Sequence, residues 1–145
     1  MASHRIVLRG PWKYRWLVRD GQQADSSALG RVQEQTGTVK LPADWRSLFG
    51  DVSGTVELRR KFNWPNRLPP EEDVSIAFDG VGGNASVNLN GMTLGTIDEQ
   101  TGPVRFGVTR LLRSHNEVCV DLSFDALAAG DQIGGLWAPV AIEIG

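Results

Sequence analysis

Hydrophobic and polar residues alternate with period two along most of the chain. Trp12, Tyr14, Trp16 and Val18 fall on one side of an extended run, with Lys13, Arg15 and Arg19 opposite. Val56, Leu58 and Phe62 share a face against Glu57, Arg59 and Lys61, and Val118, Val120, Leu122 and Phe124 alternate with Cys119, Asp121 and Ser123. Leu136, Val140, Ile142 and Ile144 mark a final strand. Asp20-Gly21, Pro65-Asn66, Pro69-Pro70, Asp79-Gly80, Asn90-Gly91 and Gly134-Gly135 separate these runs as turns. Helix is scarce: residues 42–50 predict one or two turns ended by Gly50, and residues 108–113 predict another. Neither reaches the dozen residues that a crossover between parallel strands needs, so the sheets are antiparallel and the class is all-β, a sandwich or barrel. The expected core contains Tyr14, Trp16, Val56, Leu58, Phe62, Ile76, Phe78, Val87, Leu89, Leu94, Phe106, Val118, Val120 and Ile142. Residues 20–37 are polar and read as a long loop.

Composition narrows the picture. The chain has 145 residues, which predicts one domain over 1–145, and neither a linker nor a repeat divides it. Seventeen glycines, well above the usual ~7%, imply many turns and short strands. A net charge of −2 gives no overall attraction to nucleic acid or to a membrane surface. The one cysteine, Cys119, can form no disulfide within the chain. The longest apolar run near the start is residues 6–8, too short for a signal-peptide core, and no stretch has the length of a membrane span. The reading is of a soluble, cytoplasmic protein.

One stretch points elsewhere. Gly80-x-Gly82-x-x-Ala85 follows the strand-like run at residues 74–78 and spells a dinucleotide-binding fingerprint, with Asp98 and Glu99 downstream. That chemistry requires a helix whose N-terminus faces the pyrophosphate. Here Ala85, Val87 and Leu89 alternate with Ser86, Asn88 and Asn90, which is a strand pattern. Asn90-Gly91 is then the strongest short hairpin signal. A two-residue turn there sets Leu89 opposite Met92 and Val87 opposite Leu94, so the glycines are expected to serve turns rather than phosphate.

The same residues carry a resemblance. Phe78-Asp-Gly-Val81 followed by Ala85-Ser-Val-Asn-Leu-Asn-Gly-Met-Thr-Leu-Gly95 resembles the F-x-G-V strand and A-x-V-x-hydrophobic-N-G hairpin of one family. This is the N-terminal sugar-binding domain of beta-galactosidases and beta-glucuronidases, a galactose-binding-like jelly roll. Val39-Lys-Leu-Pro-Ala-Asp-Trp45, Leu58-Arg-Arg-Lys-Phe62, Pro103-Val-Arg-Phe-Gly-Val-Thr109, Asn116-Glu-Val-Cys-Val-Asp-Leu122 and Gly134-Gly-Leu-Trp-Ala-Pro-Val140 match further family segments in order. Leu58 stands where the family often has tyrosine, and Ala138 where it often has arginine. The resemblance implies a galactose-binding-like antiparallel β-sandwich as a stand-alone domain. It also implies a non-catalytic carbohydrate-binding role, since the hydrolases' catalytic glutamates lie in a barrel with no counterpart here. The alternative is a protein-interaction or assembly module, or a homo-oligomer, that keeps the fold without the sugar.

Candidate chemistry adds little to this. His4 and His115 are the only histidines, and no nucleophile elbow is present, so a triad is not expected. Glu71-Glu72-Asp73 reads as a solvated loop. Relatives often hold a structural calcium ion, but no D-x-D-x-D-G run supplies its ligands, so neither metal nor cofactor is expected. Arg5, Arg9, Lys13, Arg15 and Arg19, interleaved with Trp12, Tyr14 and Trp16, fit a solvated strand face better than a nucleic-acid platform. Sugars stack on aromatic rings and pair their hydroxyls with polar side chains. Trp45, Asp98, Glu99, Arg105, Asp131, Gln132 and Trp137 are therefore the expected ligand contacts.

Overall fold

The computed structural model describes residues 4–19, 36–64, 72–98 and 103–145. Of the polar stretch at residues 20–37, residues 20–35 lie outside the described residues, as do the proline-rich turns at 65–71 and Glu99, while Thr36 and Gly37 open a strand instead of continuing the loop. Among the described residues, ten strands run in order: β1 (His4–Val7), β2 (Trp12–Arg19), β3 (Thr36–Val39), β4 (Ser53–Asn63), β5 (Val74–Phe78), β6 (Asn84–Leu89), β7 (Met92–Ile97), β8 (Val104–Gly107), β9 (His115–Asp125) and β10 (Val140–Ile144). One short helix, α1 (Trp45–Phe49), lies between β3 and β4. The strands form a four-stranded sheet, β1-β10-β5-β8, and a six-stranded sheet, β3-β2-β4-β9-β6-β7. Every strand pairing is antiparallel. Both sheets contribute alternate residues to one core: Trp12, Trp16, Val56, Leu58, Val87, Val118 and Val120 from the larger, Val74, Ile76, Phe78, Val140 and Ile142 from the smaller. Tyr14, Phe62, Leu94 and Phe106, expected in the core, are half-buried and pack against it.

The Asn90-Gly91 turn forms as predicted, with φ of 53° and 83° at its two residues, the left-handed pair a tight hairpin requires. Leu89 pairs with Met92, but Val87 pairs with Gly95 rather than Leu94, because the register shifts between Val87 and Asn88. Leu94 is the extra residue of that irregularity. A second shift, between Trp16 and Val18, corrects another expectation. Beyond it Val18 leaves the face of Trp12 and Trp16 and stands exposed. The segment at 108–113 forms a hydrogen-bonded turn, Leu111 N to Val108 O at 2.8 Å, instead of a helix.

Helix α1 is short because its ends are fixed locally. Asp44 caps it by accepting from Ser47 N at 2.8 Å, and Gly50, at φ 83°, donates its N–H back to Arg46 O. It seats Trp45 in a cluster of tilted and edge-on rings, 5.6 Å from Trp16, 5.1 Å from Phe49 and 5.5 Å from Phe124.

Candidate functional site

The start of β4, the end of β9 and the start of β6 lie side by side: Gly54 pairs with Phe124, and Asn84 pairs with Ser123. The turn at residues 79–83 and the loop at 126–139 meet at the same end of the sandwich through a bridge between Gly82 and Gly135, 2.9 and 3.0 Å in its two bonds. The bridge needs glycine at 82, because a Cβ there would stand 1.9 Å from Ile133 O. The glycines of the apparent fingerprint thus bring two backbones together, and β6, not a helix, follows them.

The loop is tied down from below. Trp45 N donates to Gly134 O at 2.9 Å and Ala43 N to Leu136 O at 3.1 Å. The Arg46 guanidinium donates to Ala126 O, Gly130 O and Gln132 O, each at 2.8 Å, and to the Asp51 carboxylate at 2.9 Å. The fork geometry of arginine suits this simultaneous capture of several carbonyls.

Between this loop and the strand ends lies a cleft of about 450 Å³. Its polar wall comes from Ser53, Thr55, Asn84, Ser123, Asp125 and Gln132, and Phe124 and Ala129 are among its apolar lining. The wall is internally ordered: Thr55 Oγ1 and Ser123 Oγ share a hydrogen bond of 2.8 Å, and Ser53 Oγ donates to Asp125 Oδ1 at 2.6 Å. Asp125 Oδ1 also accepts from Leu127 N and Ala128 N, both at 3.2 Å. These donors, the Ser53 hydroxyl foremost, hold the Asp125 carboxyl below the usual carboxylate range.

The sequence-predicted contacts separate here. Gln132 lines the cleft, and Asp131 is exposed beside it. Trp137 belongs to the same loop and is 43% exposed, its ring lying on the backbone of Gly80, where a Cβ would come within 2.6 Å of it. Trp45 is a correction. It is fully buried, with Nε1 bonded to Val52 O at 2.8 Å, so neither face of its ring is open to a ligand. Asp98 is exposed at the end of β7 and does not line the cleft. Arg105 lies on the other sheet, where Glu143 accepts from both Arg105 (2.6 Å) and Arg5, and Arg5 also pairs with Asp79. Ser53, Thr55, Asn84, Ser123 and Asp125 were not expected. Their signal was only that the polar alternates of two strands end in small hydroxyls and acids, and Thr55 and Ser123 are 68 residues apart.

A second hollow of about 500 Å³ lies on the six-stranded sheet near β3, lined by Lys13, Arg15, Thr38, Glu57 and Arg59 among others. Three of its charges are mutually engaged: Glu57 accepts from Arg59 at 3.0 Å and from Arg15 at 3.3 Å. Trp12 and Trp16 are buried, so they offer no stacking platform beside these cations. On the same sheet face the ligand atoms of Glu57, Cys119 and Asp121 lie within 4.8 Å of one another. Asp121 Oδ1 is buried with no hydrogen-bond partner, and burial first, then Glu57, raises its carboxyl above the usual range.

A family model described as glycosyl hydrolase 2 galactose-binding domain-like matches residues 52–133. The chain belongs to this family. No curated protein sequence matches the chain. Among solved structures, the galactose-binding-like domain is similar to a beta-glucuronidase of an uncultured Clostridium species, at 20% identity and TM-score 0.72, over 99% of this chain and 29% of that one. A putative beta-galactosidase from Bacteroides fragilis matches at 22% identity and TM-score 0.73, over 99% of this chain and 23% of that one. The beta-glucuronidase of Bifidobacterium dentium, solved with coumarin-3-O-glucuronide, matches at 18% identity and TM-score 0.72, over 99% and 30%. At these identities the likeness is one of fold, and it bears out the β-sandwich. The galactose-binding-like domain spans less than a third of the length of each of these hydrolases. Among the described residues, no helix is long and apolar enough to cross a membrane.

Proposed function

We propose that this galactose-binding-like domain is a non-catalytic carbohydrate-binding unit whose ligand occupies the cleft beside the 126–139 loop. The observation that carries the proposal is the cleft's makeup: about 450 Å³ of space walled by hydroxyls, amides and one carboxylate on the ends of paired strands. Small-ligand sites combine such volume with a few fixed polar groups, and a sugar ring presents complementary hydroxyls and apolar C–H faces. Gln132 stays a wall contact, with Asp131 and Trp137 as rim contacts. Glycoside hydrolysis uses two carboxyl groups roughly 5–9.5 Å apart across the scissile bond. Among the described residues lining the cleft, Asp125 is the one carboxylate, which favours binding over turnover. A dense glycan array tests this. Wild-type protein is expected to bind at least one galactoside, glucoside or polysaccharide. Ser123→Trp, which fills the cleft from the solvent face of β9, is expected to lose that signal while keeping its β-sheet circular dichroism. Silence of the wild type on every glycan sinks the proposal.

An assembly role is the second reading, and one observation favours it. Leu127 (78% exposed), Ile133 (53%) and Trp137 (43%) present large apolar side chains from one loop. If they form a contact surface, sedimentation of the wild type shows association that Leu127→Ser with Ile133→Ser removes; a monomer at all concentrations, with no partner retained in pull-downs, speaks against it.

A further inference from the structure

The cleft carries an electrostatic preference. Its polar lining is neutral, being hydroxyls and amides, except for Asp125. That carboxylate is fixed in its charged form by three donors, Ser53 Oγ, Leu127 N and Ala128 N. Asp131, exposed beside the wall residue Gln132, adds a second negative charge to the same loop. No lysine, arginine or histidine lines the cleft among the described residues. Of the nearby cations, Arg46 donates its guanidinium to loop carbonyls and Asp51, while Arg19, at the end of β2, lies 5.0 Å over the Trp16 ring with its Nε buried and without a hydrogen-bond partner.

We infer, resting on the carbohydrate-binding reading, that the cleft selects electroneutral sugar rings and discriminates against uronic acids. A space of this size keeps a ligand carboxylate within roughly 8 Å of Asp125, and two like charges at that distance beside an exposed carboxylate cost about threefold in affinity. Among the described residues lining the cleft, a uronate also finds no guanidinium or ammonium to pair with. The hydroxyls of a neutral ring can instead donate to Asp125, a charge-assisted bond stronger than one between neutral groups.

Titration of the full chain, followed by backbone amide signals in NMR, decides it. The probes are methyl β-D-glucopyranoside and methyl β-D-galactopyranoside, each against its own uronate at neutral pH. The neutral glycoside is expected to shift amides of Ser123, Ala128 and Gln132, with the uronate weaker by about threefold. Asp125→Asn is expected to close that gap while keeping the acceptor for Ser53. Should that variant fail to fold, the wild-type gap is measured at low and high salt and is expected to narrow as salt screens the repulsion. Equal or tighter binding of the uronate overturns the selectivity and leaves the carbohydrate reading standing. So does a gap that neither Asp125→Asn nor salt changes. No shift with any of the four sugars removes the carbohydrate reading itself, and the selectivity with it.

Discussion

Cys119 sits on the polar face of β9, yet its surroundings make it a poor nucleophile. Burial, then the Glu57 and Asp121 carboxylates, push the thiol up to about 11. Thiolate is the reactive form, so the native protein holds roughly a hundredfold less of it at neutral pH than an unperturbed cysteine does. Iodoacetamide is expected to alkylate native Cys119 about that much more slowly than the same chain in urea; equal rates would show that the sheet does not shield the thiol. Arg46 is a residue of the opposite kind, half-buried and bonded to three carbonyls of the 126–132 segment. Arg46→Ala is expected to cost about 2 kcal/mol in chemical unfolding, and Arg46→Lys to recover little of it because a point charge cannot span three acceptors. The matching sign is faster hydrogen exchange at Ala129 and Gln132, whose N–H groups donate to Asp125 O at 3.0 Å and Ala129 O at 3.1 Å.

The β6–β7 hairpin shows what an element reveals of itself. Its turn is local, two residues of known backbone preference, and Asn90-Gly91 was therefore readable. Its register was not, because the bulge places Gly95 beneath the Phe106 ring of the other sheet, 2.8 Å from where a Cβ would be. A glycine inside a strand was the available hint of a bulge, but its partner ring lies outside the local pattern. Asn90 does more than turn the chain. Its Nδ2 donates to Leu111 O (3.0 Å) and to Asn116 Oδ1 (2.9 Å), and its Oδ1 accepts from Glu117 N (2.9 Å). Asn116, 3% exposed, passes the connection on by accepting from Arg113 N at 2.8 Å. The hairpin tip is thereby fastened to the turn before β9. Asn90→Gly keeps the left-handed backbone and removes these bonds, so it is expected to cost about 2 kcal/mol, and Asn90→Ala about 1 kcal/mol more for the positive φ. Thermal unfolding of the two variants separates the contributions, and an Asn90→Gly variant as stable as wild type would assign the whole role of Asn90 to its backbone.

Across the whole molecule, alternation made the sandwich legible, while the cleft stayed hidden because it exists only once β4, β9 and β6 pair. The assembled fold also carries an acid dependence. Glu57 is lowered chiefly by Arg59, Glu143 chiefly by Arg105 and Asp125 chiefly by Ser53. Each is a carboxyl that the fold prefers charged. Their stabilisation is complete above their unfolded values and is lost as pH falls through the folded ones. Asp121 has the opposite sign. The register sets it directly across from Glu57, its Oδ1 has no partner, and its raised value means that the fold prefers it protonated. Its cost is absent below the unfolded carboxylate value of 3.8 and grows as pH rises through the folded one. Asp121→Asn removes a like-charge cross-strand pair worth about 0.5 kcal/mol. The variant is expected to be more stable than wild type at neutral pH by that order and to lose the advantage below about pH 4, while both proteins lose stability on acidification through the other three carboxyls. Urea unfolding of the two proteins across this range measures the difference directly. An advantage independent of pH would trace the effect to packing of the amide rather than to the charge facing Glu57.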